Sequence, residues 1–203
     1  MSSVSAPRPV RLLAVSGSAR TGSFNRQLLA LAVRKAQAQG AETTIVDLRA
    51  LGLPLYDADW HAANGFPAAA LAWRELMASH DGLLLATPEY NAFPTPLLIN
   101  SFDWLSLVPA DAGLPSGTGA TGGMPVGLMA ASPGAFGGIR ALPLVRTYLS
   151  TNFAMVVVPE QVAVPHADQQ FNEDGGLLKV ELDQALLRVV AAVIRQARWR
   201  RAG

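Results

Sequence analysis

The chain has 203 residues, and its 16 basic side chains nearly balance its 15 acidic ones, which leaves a net charge of +1. That length suits one α/β domain with a sizeable core. The near-neutral charge excludes a basic surface for nucleic acid. The sequence has no cysteine, which excludes disulfides, thiolate catalysis and cysteine-bound metal sites and fits a reducing cytoplasm. No segment is long and apolar enough to span a bilayer.

Short apolar runs alternate with helical patterns, which predicts a parallel sheet with helices on both faces. Residues 1–9 lack the apolar region of a secretory signal, and we expect them to be a loose lead-in to the first strand. The predicted strands are residues 10–16, 43–47, 82–86, 125–131 and 153–158, and the predicted helices are residues 23–39, 67–79, 96–107, one ending near 150, and 177–200. This alternation predicts a single domain with strand order 2-1-3-4-5 and a ligand beyond the carboxyl ends of strands one and three.

The loop after the first strand, residues 17–25, reads Gly-Ser-Ala-Arg-Thr-Gly-Ser-Phe-Asn. Its hydroxyls, its glycines and the start of a helix offer donors to an anion, and Arg20 adds a forked, permanent charge. A nucleoside-triphosphate loop needs Lys and Ser or Thr where Ser23 and Phe24 stand. The dinucleotide fingerprint needs glycine where Ala19 stands. The loop therefore suits a single terminal phosphate, as in FMN, and the alternative is an ordinary turn with Ser23 as helix cap.

Two further loops carry unusual chemistry. Prolines stiffen residues 87–96 after the third strand, and a flat heteroaromatic ring needs such a rigid wall. The alternatives are surface packing for Tyr90 and a turn position for Asn91. Residues 131–140 after the fourth strand contain three glycines and Ser132, which suit the edge of a ring or a tight turn. The glycine-rich residues 114–123 are expected to be a flexible surface loop. The alternative is a phosphate cradle, against which the lack of a following helix counts.

These loops resemble, in order, the motifs of the NAD(P)H-dependent FMN reductases of flavodoxin-like fold, a family with chromate/quinone reductase and azoreductase members. Residues 17–25 are similar to the motif GSxRxxSxN, and residues 132–140 are similar to SPGxxGGxR. Between them, residues 88–104 are similar to PEYN followed by TPLLKNxxDW, with Ile99 in place of the usual Lys. The ordered set spans most of the chain.

The resemblance implies a three-layer α/β sandwich that binds FMN and takes electrons from NADPH or NADH. It also implies a homodimer or homotetramer. The cofactor-binding residues that it implies are Ser18, Arg20, Ser23 and Asn25 at the phosphate, with Phe24 beside them, Pro88, Glu89, Tyr90 and Asn91 along the isoalloxazine ring, and Ser132 and Gly134 at its other edge. Gly137, Gly138 and Arg140 would shape the last loop or a subunit contact.

The function implied is oxidoreduction, with hydride passing through flavin N5 to a quinone, azo compound, metal oxyanion or free flavin. Because the flavin carries this chemistry, no catalytic side chain is expected, and His61, His80 and His166 lack metal-ligand spacing. One alternative is a non-enzymatic flavodoxin-like electron carrier, against which the near-neutral charge counts. Another is a reductase that uses FMN as a dissociable substrate. The expected partner is a small-molecule acceptor in the cytoplasm, without nucleic acid or membrane.

Overall fold

The computed structural model describes residues 8–202, so most of the predicted lead-in lies outside the described residues. The strands are β1 (Arg11–Ser16), β2 (Glu42–Asp47), β3 (Gly82–Ala86), β4 (Pro125–Ala131) and β5 (Val156–Val164). The helices are α1 (Phe24–Ala38), α2 (Ala58–Asn64), α3 (Ala68–Ala78), α4 (Pro96–Leu107), α5 (Gly117–Thr121), α6 (Ala141–Phe153) and α7 (Val180–Ala202). All strand pairs are parallel in the order β2-β1-β3-β4-β5, which confirms the predicted topology.

The sheet separates two hydrophobic cores. Helices α1 and α7 cover one face, where they pack on Leu12 and Leu84. Helices α3, α4 and α6 cover the other face, where they pack on Leu13 and Leu85. The central strands β3 and β4 are buried along their whole length, as expected for parallel strands between two helical layers. This flavodoxin-like sandwich places the carboxyl ends of β1, β3 and β4 side by side at the same end of the sheet.

Two of the helices that begin at this end of the sheet, α1 and α4, are fixed by local capping groups. The Ser23 hydroxyl accepts the Asn25 N–H at the start of α1. The Thr95 hydroxyl accepts the Leu98 N–H at the start of α4. Pro96 in the first turn costs no hydrogen bond, because an N–H at that position would have no partner within the helix. These caps decide where each loop ends and where its helix begins. Within residues 8–202, no helix is both long and apolar enough to cross a membrane.

The predicted bounds of the fifth strand, residues 153–158, are wrong. Phe153 ends α6, where its ring packs 4.9 Å from the ring of Phe102 between centroids. Ala154 then adopts a left-handed conformation, φ 50°, that ends the helix. The strand instead runs through the polar pair Glu160 and Gln161. An edge strand tolerates such residues, and an irregularity in its pairing with β4 shifts the register there.

The prediction of a surface loop for residues 114–123 is also wrong. The segment contains α5, whose start is capped by the Ser116 hydroxyl on the Gly119 N–H. Gly117 is buried against α4, and a Cβ built on it would lie 1.7 Å from the Leu105 carbonyl oxygen. Glycine at this position therefore serves close packing rather than mobility. Helix α2, which is not among the helices predicted from the sequence, is capped by the Asp57 carboxylate on the Trp60 N–H.

Candidate cofactor-binding site

A pocket opens where the loops after β1, β3 and β4 converge. Its lining residues are Ser18, Arg20, Ser23, Phe24, Asn25, Pro88, Glu89, Tyr90, Ala131, Ser132 and Pro133. The structure thus brings together nine of the eleven residues predicted to bind the cofactor, and it leaves Asn91 and Gly134 outside the lining. The three loops lie far apart in the sequence, and the strand order brings them to one edge of the sheet.

Serine hydroxyls shape the first loop. The hydroxyl of Ser16 accepts the Ser18 N–H at 3.3 Å, and the hydroxyl of Ser18 accepts the Arg20 N–H at 3.3 Å. The hydroxyl of Ser23 accepts the Asn25 N–H at 3.2 Å. Each hydroxyl here acts as an acceptor toward the backbone two residues on. Since a hydroxyl has one hydrogen and two lone pairs, Ser18 and Ser23 keep an O–H that can donate into the pocket.

Arg20 is exposed and is held in a stack of side chains. Its Nη2 donates to the Gly22 carbonyl at 3.1 Å, and its guanidinium lies 5.1 Å from the centre of the Phe24 ring. The Phe24 ring is in turn nearly parallel to that of Phe171, with centroids 6.4 Å apart. Phe171 belongs to the segment after β5, and no local pattern in the sequence relates it to the first loop.

Two further arginines, which do not line the pocket, donate hydrogen bonds to the loop after β1. Neither of them was identified from the sequence. Arg26 donates to the Ser18 carbonyl and also pairs with Asp47 at 2.9 Å. Arg49 donates to the Ala19 carbonyl at 2.9 Å. Both arginines therefore hold backbone carbonyls of the loop from side chains that do not line the pocket.

Asn25 has a different environment from the one expected of a phosphate ligand. Its side chain is buried, and its Nδ2 donates to the Ala131 carbonyl at 2.8 Å while its Oδ1 accepts the Ala131 N–H at 2.9 Å. The amide therefore joins the start of α1 to the end of β4. This contact occupies both polar ends of the Asn25 side chain, and a direct contact with phosphate stays a prediction.

The loop after β3 turns back on itself beside the pocket. Tyr90 and Phe93 exchange two backbone hydrogen bonds of 2.9 Å, which closes a two-residue turn. The residues between them, Asn91 and Ala92, both have positive φ, 52° and 63°. Asn91 therefore occupies the exposed tip of a type I′-like turn, which explains why it does not line the pocket. Tyr90, at the base of the turn, does line it.

The loop after β4 contributes Ser132 and Pro133 to the lining. The Ser132 hydroxyl accepts the Gly134 N–H at 3.1 Å, so Gly134 continues the turn away from the pocket. Arg140, at the end of this loop, pairs with the buried Glu89 carboxylate of the neighbouring loop. The link to Glu89 shows that Arg140 shapes the loop, which is one of the two roles expected for it.

The histidines lie outside the pocket lining. His61 packs among Tyr56, Phe66 and Trp104. His80 is buried in the connection between α3 and β3, where its Nε2 is 2.8 Å from the Thr44 hydroxyl. Burial lowers the pKa of His80 below its ordinary value, and the hydrogen bond to the Leu76 carbonyl offsets part of this decrease. Within residues 8–202, no three His, Asp or Glu side chains are grouped closely enough to hold a metal ion.

Comparison with known proteins agrees with this geometry. Residues 10–169 match the model of the family described as NADPH-dependent FMN reductase. The chain is 32% identical over 192 residues to an NAD(P)H-dependent FMN reductase of Pseudomonas aeruginosa, which covers 93% of this chain and 97% of that protein. It is 35% identical over 151 residues to a quinone reductase of Escherichia coli, which covers 73% of each.

Among solved structures, the flavoenzyme FerB, an NAD(P)H:(acceptor) oxidoreductase of Paracoccus denitrificans, shares the fold with a TM-score of 0.76. It covers 94% of this chain and 98% of its own, at 21% identity. The shared fold agrees with the sheet order, and the family model spans most of the chain. The chain belongs to the NADPH-dependent FMN reductase family, and it is an oxidoreductase whose cofactors are FMN and NAD(P)H.

Proposed function

We propose that the pocket holds FMN and that the protein passes electrons from NADPH or NADH through it to a small acceptor, with a quinone as the first candidate. The observation that carries this proposal is the convergence of a hydroxyl-rich loop and two wall-forming loops in one pocket. The names of relatives support the acceptor class, since the Escherichia coli relative is a quinone reductase. Azo compounds, metal oxyanions and free flavin are the other acceptors that we propose to test.

The donors of the first loop fit a phosphate monoester. The O–H groups of Ser18 and Ser23 and the guanidinium of Arg20 border the pocket, and the N-terminus of α1 adds the positive end of a helix dipole. Arg20 can form charge-assisted bonds to two phosphate oxygens at once. The set offers donors and no carboxylate in the first loop, which is the chemistry that a dianion needs.

The walls beyond the phosphate fit a flat ring. Pro88 and Tyr90 line the pocket from the loop after β3, and Ser132 and Pro133 line it from the loop after β4. Both prolines limit the motion of their loops. The hydroxyl of Ser132 lies at the edge of the pocket and can donate to an acceptor atom of the ring. These residues would orient FMN and exclude water from one of its sides.

FMN held in this pocket would supply the redox chemistry, a hydride transfer through its N5 atom from the nicotinamide to the acceptor. The chain itself binds, orients and shields. Glu89 is the one carboxylate that the pocket lining contains within the described residues, and Arg140 engages it. This carboxylate is therefore engaged in an ion pair, and we propose that no side chain of the pocket acts as a catalytic acid or base.

An absorbance spectrum of the purified protein, followed by anaerobic addition of NADPH and then of NADH to a second sample, tests the proposal. We expect flavin bands that at least one donor bleaches and that a quinone restores. A colourless protein that cannot be reconstituted with FMN would contradict the cofactor site. A yellow protein that neither donor reduces would indicate an electron carrier instead of a reductase. Gel filtration distinguishes bound FMN, which stays with the protein, from FMN used as a dissociable substrate.

A homodimer or homotetramer is part of the same proposal. Phe93 and Phe136 are large apolar side chains that remain exposed on the loops bordering the pocket. Exposed aromatic side chains beside a ligand site are frequent in interfaces, and a second copy of the chain would cover them. Light scattering on the eluting protein measures the assembly, and a strictly monomeric mass would contradict this part.

A further inference from the structure

The two loops that wall the ring site are joined by one ion pair that spans them. Glu89 lies between Pro88 and Tyr90 in the loop after β3, and Arg140 ends the loop after β4. Their side chains meet with the Arg140 Nε 2.7 Å from the Glu89 Oε1, and the Arg140 Nη2 donates to the same oxygen. The pair therefore ties one wall of the pocket to the other.

The carboxylate also reaches the backbone at the start of α6. The Glu89 Oε2 accepts the Arg140 N–H at 2.9 Å and the Ala141 N–H at 3.3 Å. Arg140 occupies the cap position of α6, and no side chain of its own segment caps the helix. Glu89 supplies the missing cap from the neighbouring loop, and a carboxylate at a helix N-terminus is favoured by the helix dipole.

The two partners differ in exposure. The Glu89 side chain is only 6% exposed, whereas that of Arg140 is 52% exposed. Arg140 is held from its outer side as well, because its guanidinium lies 4.9 Å from the centre of the Phe136 ring in its own loop. A buried carboxylate without its partner is strongly unfavourable. The loops thus stay together as long as Arg140 covers the Glu89 carboxylate.

The backbone of the second loop is shaped to allow this contact. Gly138 has a φ of 88°, a conformation that other residues rarely adopt. A Cβ built on it would lie 2.8 Å from the Cβ of Ala130 and 3.8 Å from that of Glu89. Only glycine lets the loop pass this close to Ala130 and bring Arg140 over Glu89. The close approach and the ion pair are two parts of one arrangement.

We propose that Glu89 and Arg140 are positioning residues that set the spacing between the two walls of the flavin ring site and neutralise the carboxylate beside it. Neither residue is assigned a catalytic step. The inference rests on the proposed function, since it concerns how FMN is held. Its consequences are a defined ring position and a pocket edge without net negative charge, which favours uptake of electrons by the ring.

Arg140→Ala tests the proposal in the FMN-loaded protein. Removing the guanidinium leaves the Glu89 carboxylate uncompensated, so we expect a lower midpoint potential of the bound FMN. Glu89→Gln removes the negative charge instead, and it should not lower the potential. Both variants should weaken FMN binding and lower kcat by about tenfold. A misplacement of the reacting groups by about 1 Å can cost ~100-fold in rate, and we expect a smaller shift of the ring here. Arg140→Lys keeps the positive charge but loses the planar set of donors of the guanidinium. We therefore expect a midpoint potential near that of the wild type together with weaker FMN binding.

Arg195 provides a matched control. It pairs with a glutamate, Glu160, at 3.5 Å and lies 6.0 Å from the ring of Trp199, but it does not line the pocket. We expect Arg195→Ala to keep the FMN affinity, the midpoint potential and kcat of the wild type. A thermal scan of each variant separates loss of fold from loss of ring positioning.

The proposal is overturned if Arg140→Ala and Glu89→Gln lose thermal stability but keep the FMN affinity, the midpoint potential and kcat. In that case the pair is only a helix cap. Should Arg140→Ala fail to fold, Arg140→Lys decides between these outcomes by its affinity for FMN. A wild-type protein that binds no FMN would end the proposed function itself, so the two failures are distinguishable.

Discussion

Asn25 and Ala131, 106 positions apart, exchange two hydrogen bonds of 2.8 and 2.9 Å through the Asn25 amide and the Ala131 backbone. The Asn25 amide thus pairs with the Ala131 backbone in the way that a neighbouring strand would. It fixes the first turn of α1 against the end of β4, directly before Ser132. One buried amide therefore helps to fix the loop after β1 relative to the loop after β4.

Asn25→Asp should destabilise the protein even without cofactor. A carboxylate can accept from the Ala131 N–H but cannot donate to its carbonyl, so two oxygens would face each other in a buried place. We expect the free energy of unfolding to fall by about 2 kcal/mol or more, measured by urea denaturation. The exposed Asn64→Asp, whose amide contacts the Trp60 carbonyl in α2, should cost less than about 1 kcal/mol. If Asn25→Asp weakens FMN binding and leaves the stability of the apoprotein unchanged, the residue is a phosphate ligand instead.

Arg20→Ala should weaken FMN binding without affecting the fold. The side chain is exposed, and its loss removes a charge-assisted contact that we expect to be worth about 1.5–3 kcal/mol, or about ten- to a hundredfold in Kd. Quenching of FMN fluorescence on titration with apoprotein measures the Kd. Arg34→Ala is the control, because Arg34 donates to the carbonyls of Asp174 and Gly175 and does not line the pocket. Equal Kd values for the two variants would remove Arg20 from the site.

Ala92→Gly should stabilise the protein. Ala92 has a φ of 63° in the turn between Tyr90 and Phe93, a conformation that costs a residue with a Cβ about 1–2 kcal/mol. Glycine avoids that cost but has more freedom in the unfolded chain, so the net gain should be about 0.5 kcal/mol. Thermal denaturation measures it. Ala63→Gly in α2 should change stability in the opposite direction, by about 1 kcal/mol, and a loss of stability in Ala92→Gly would contradict the assigned turn.

His80 should make stability depend on pH. Burial lowers its pKa in the folded protein, with the Leu76 carbonyl and Asp81 opposing that shift and Arg11 adding to it. The unfolded chain then takes up the proton first as pH falls below the ordinary value of 6.5, so stability decreases with acid until the folded pKa is reached. The slope from this one group is at most about 1.4 kcal/mol per pH unit.

Urea denaturation between pH 7.5 and pH 5, compared with that of His80→Gln, measures this contribution as the difference between the two profiles. We expect the variant to be less stable at neutral pH, because a buried network is altered, but to lose less stability on acidification. Profiles that run parallel across this range would show that His80 does not couple to folding.

Local pattern in the sequence was enough to predict the strand order and the three loops of the site. Buried parallel strands are continuous apolar runs, and the caps Ser23 and Thr95 act on N–H groups a few positions away. The same local logic failed for β5 and α5. Glu160 is tolerated because β5 is an edge strand, and Gly117 is required because α4 lies against it. Neither the edge position of β5 nor the packing of α4 against Gly117 can be recognised from the residues next to them in the sequence.

Periodicity and capping act over a few residues, and they were enough to predict the topology and the segments that meet at the pocket. The cofactor class followed from the resemblance of three short motifs to those of the FMN reductases. The role of each polar side chain in the pocket depends instead on the three-dimensional structure. Folding turned the Asn25 amide to Ala131, placed the Glu89 carboxylate under Arg140 and brought Phe171 against Phe24. The physical reason is that a buried polar group must pair with whatever partner folding brings within about 3 Å. For Asn25 and Glu89 those partners lie 106 and 51 residues away along the chain.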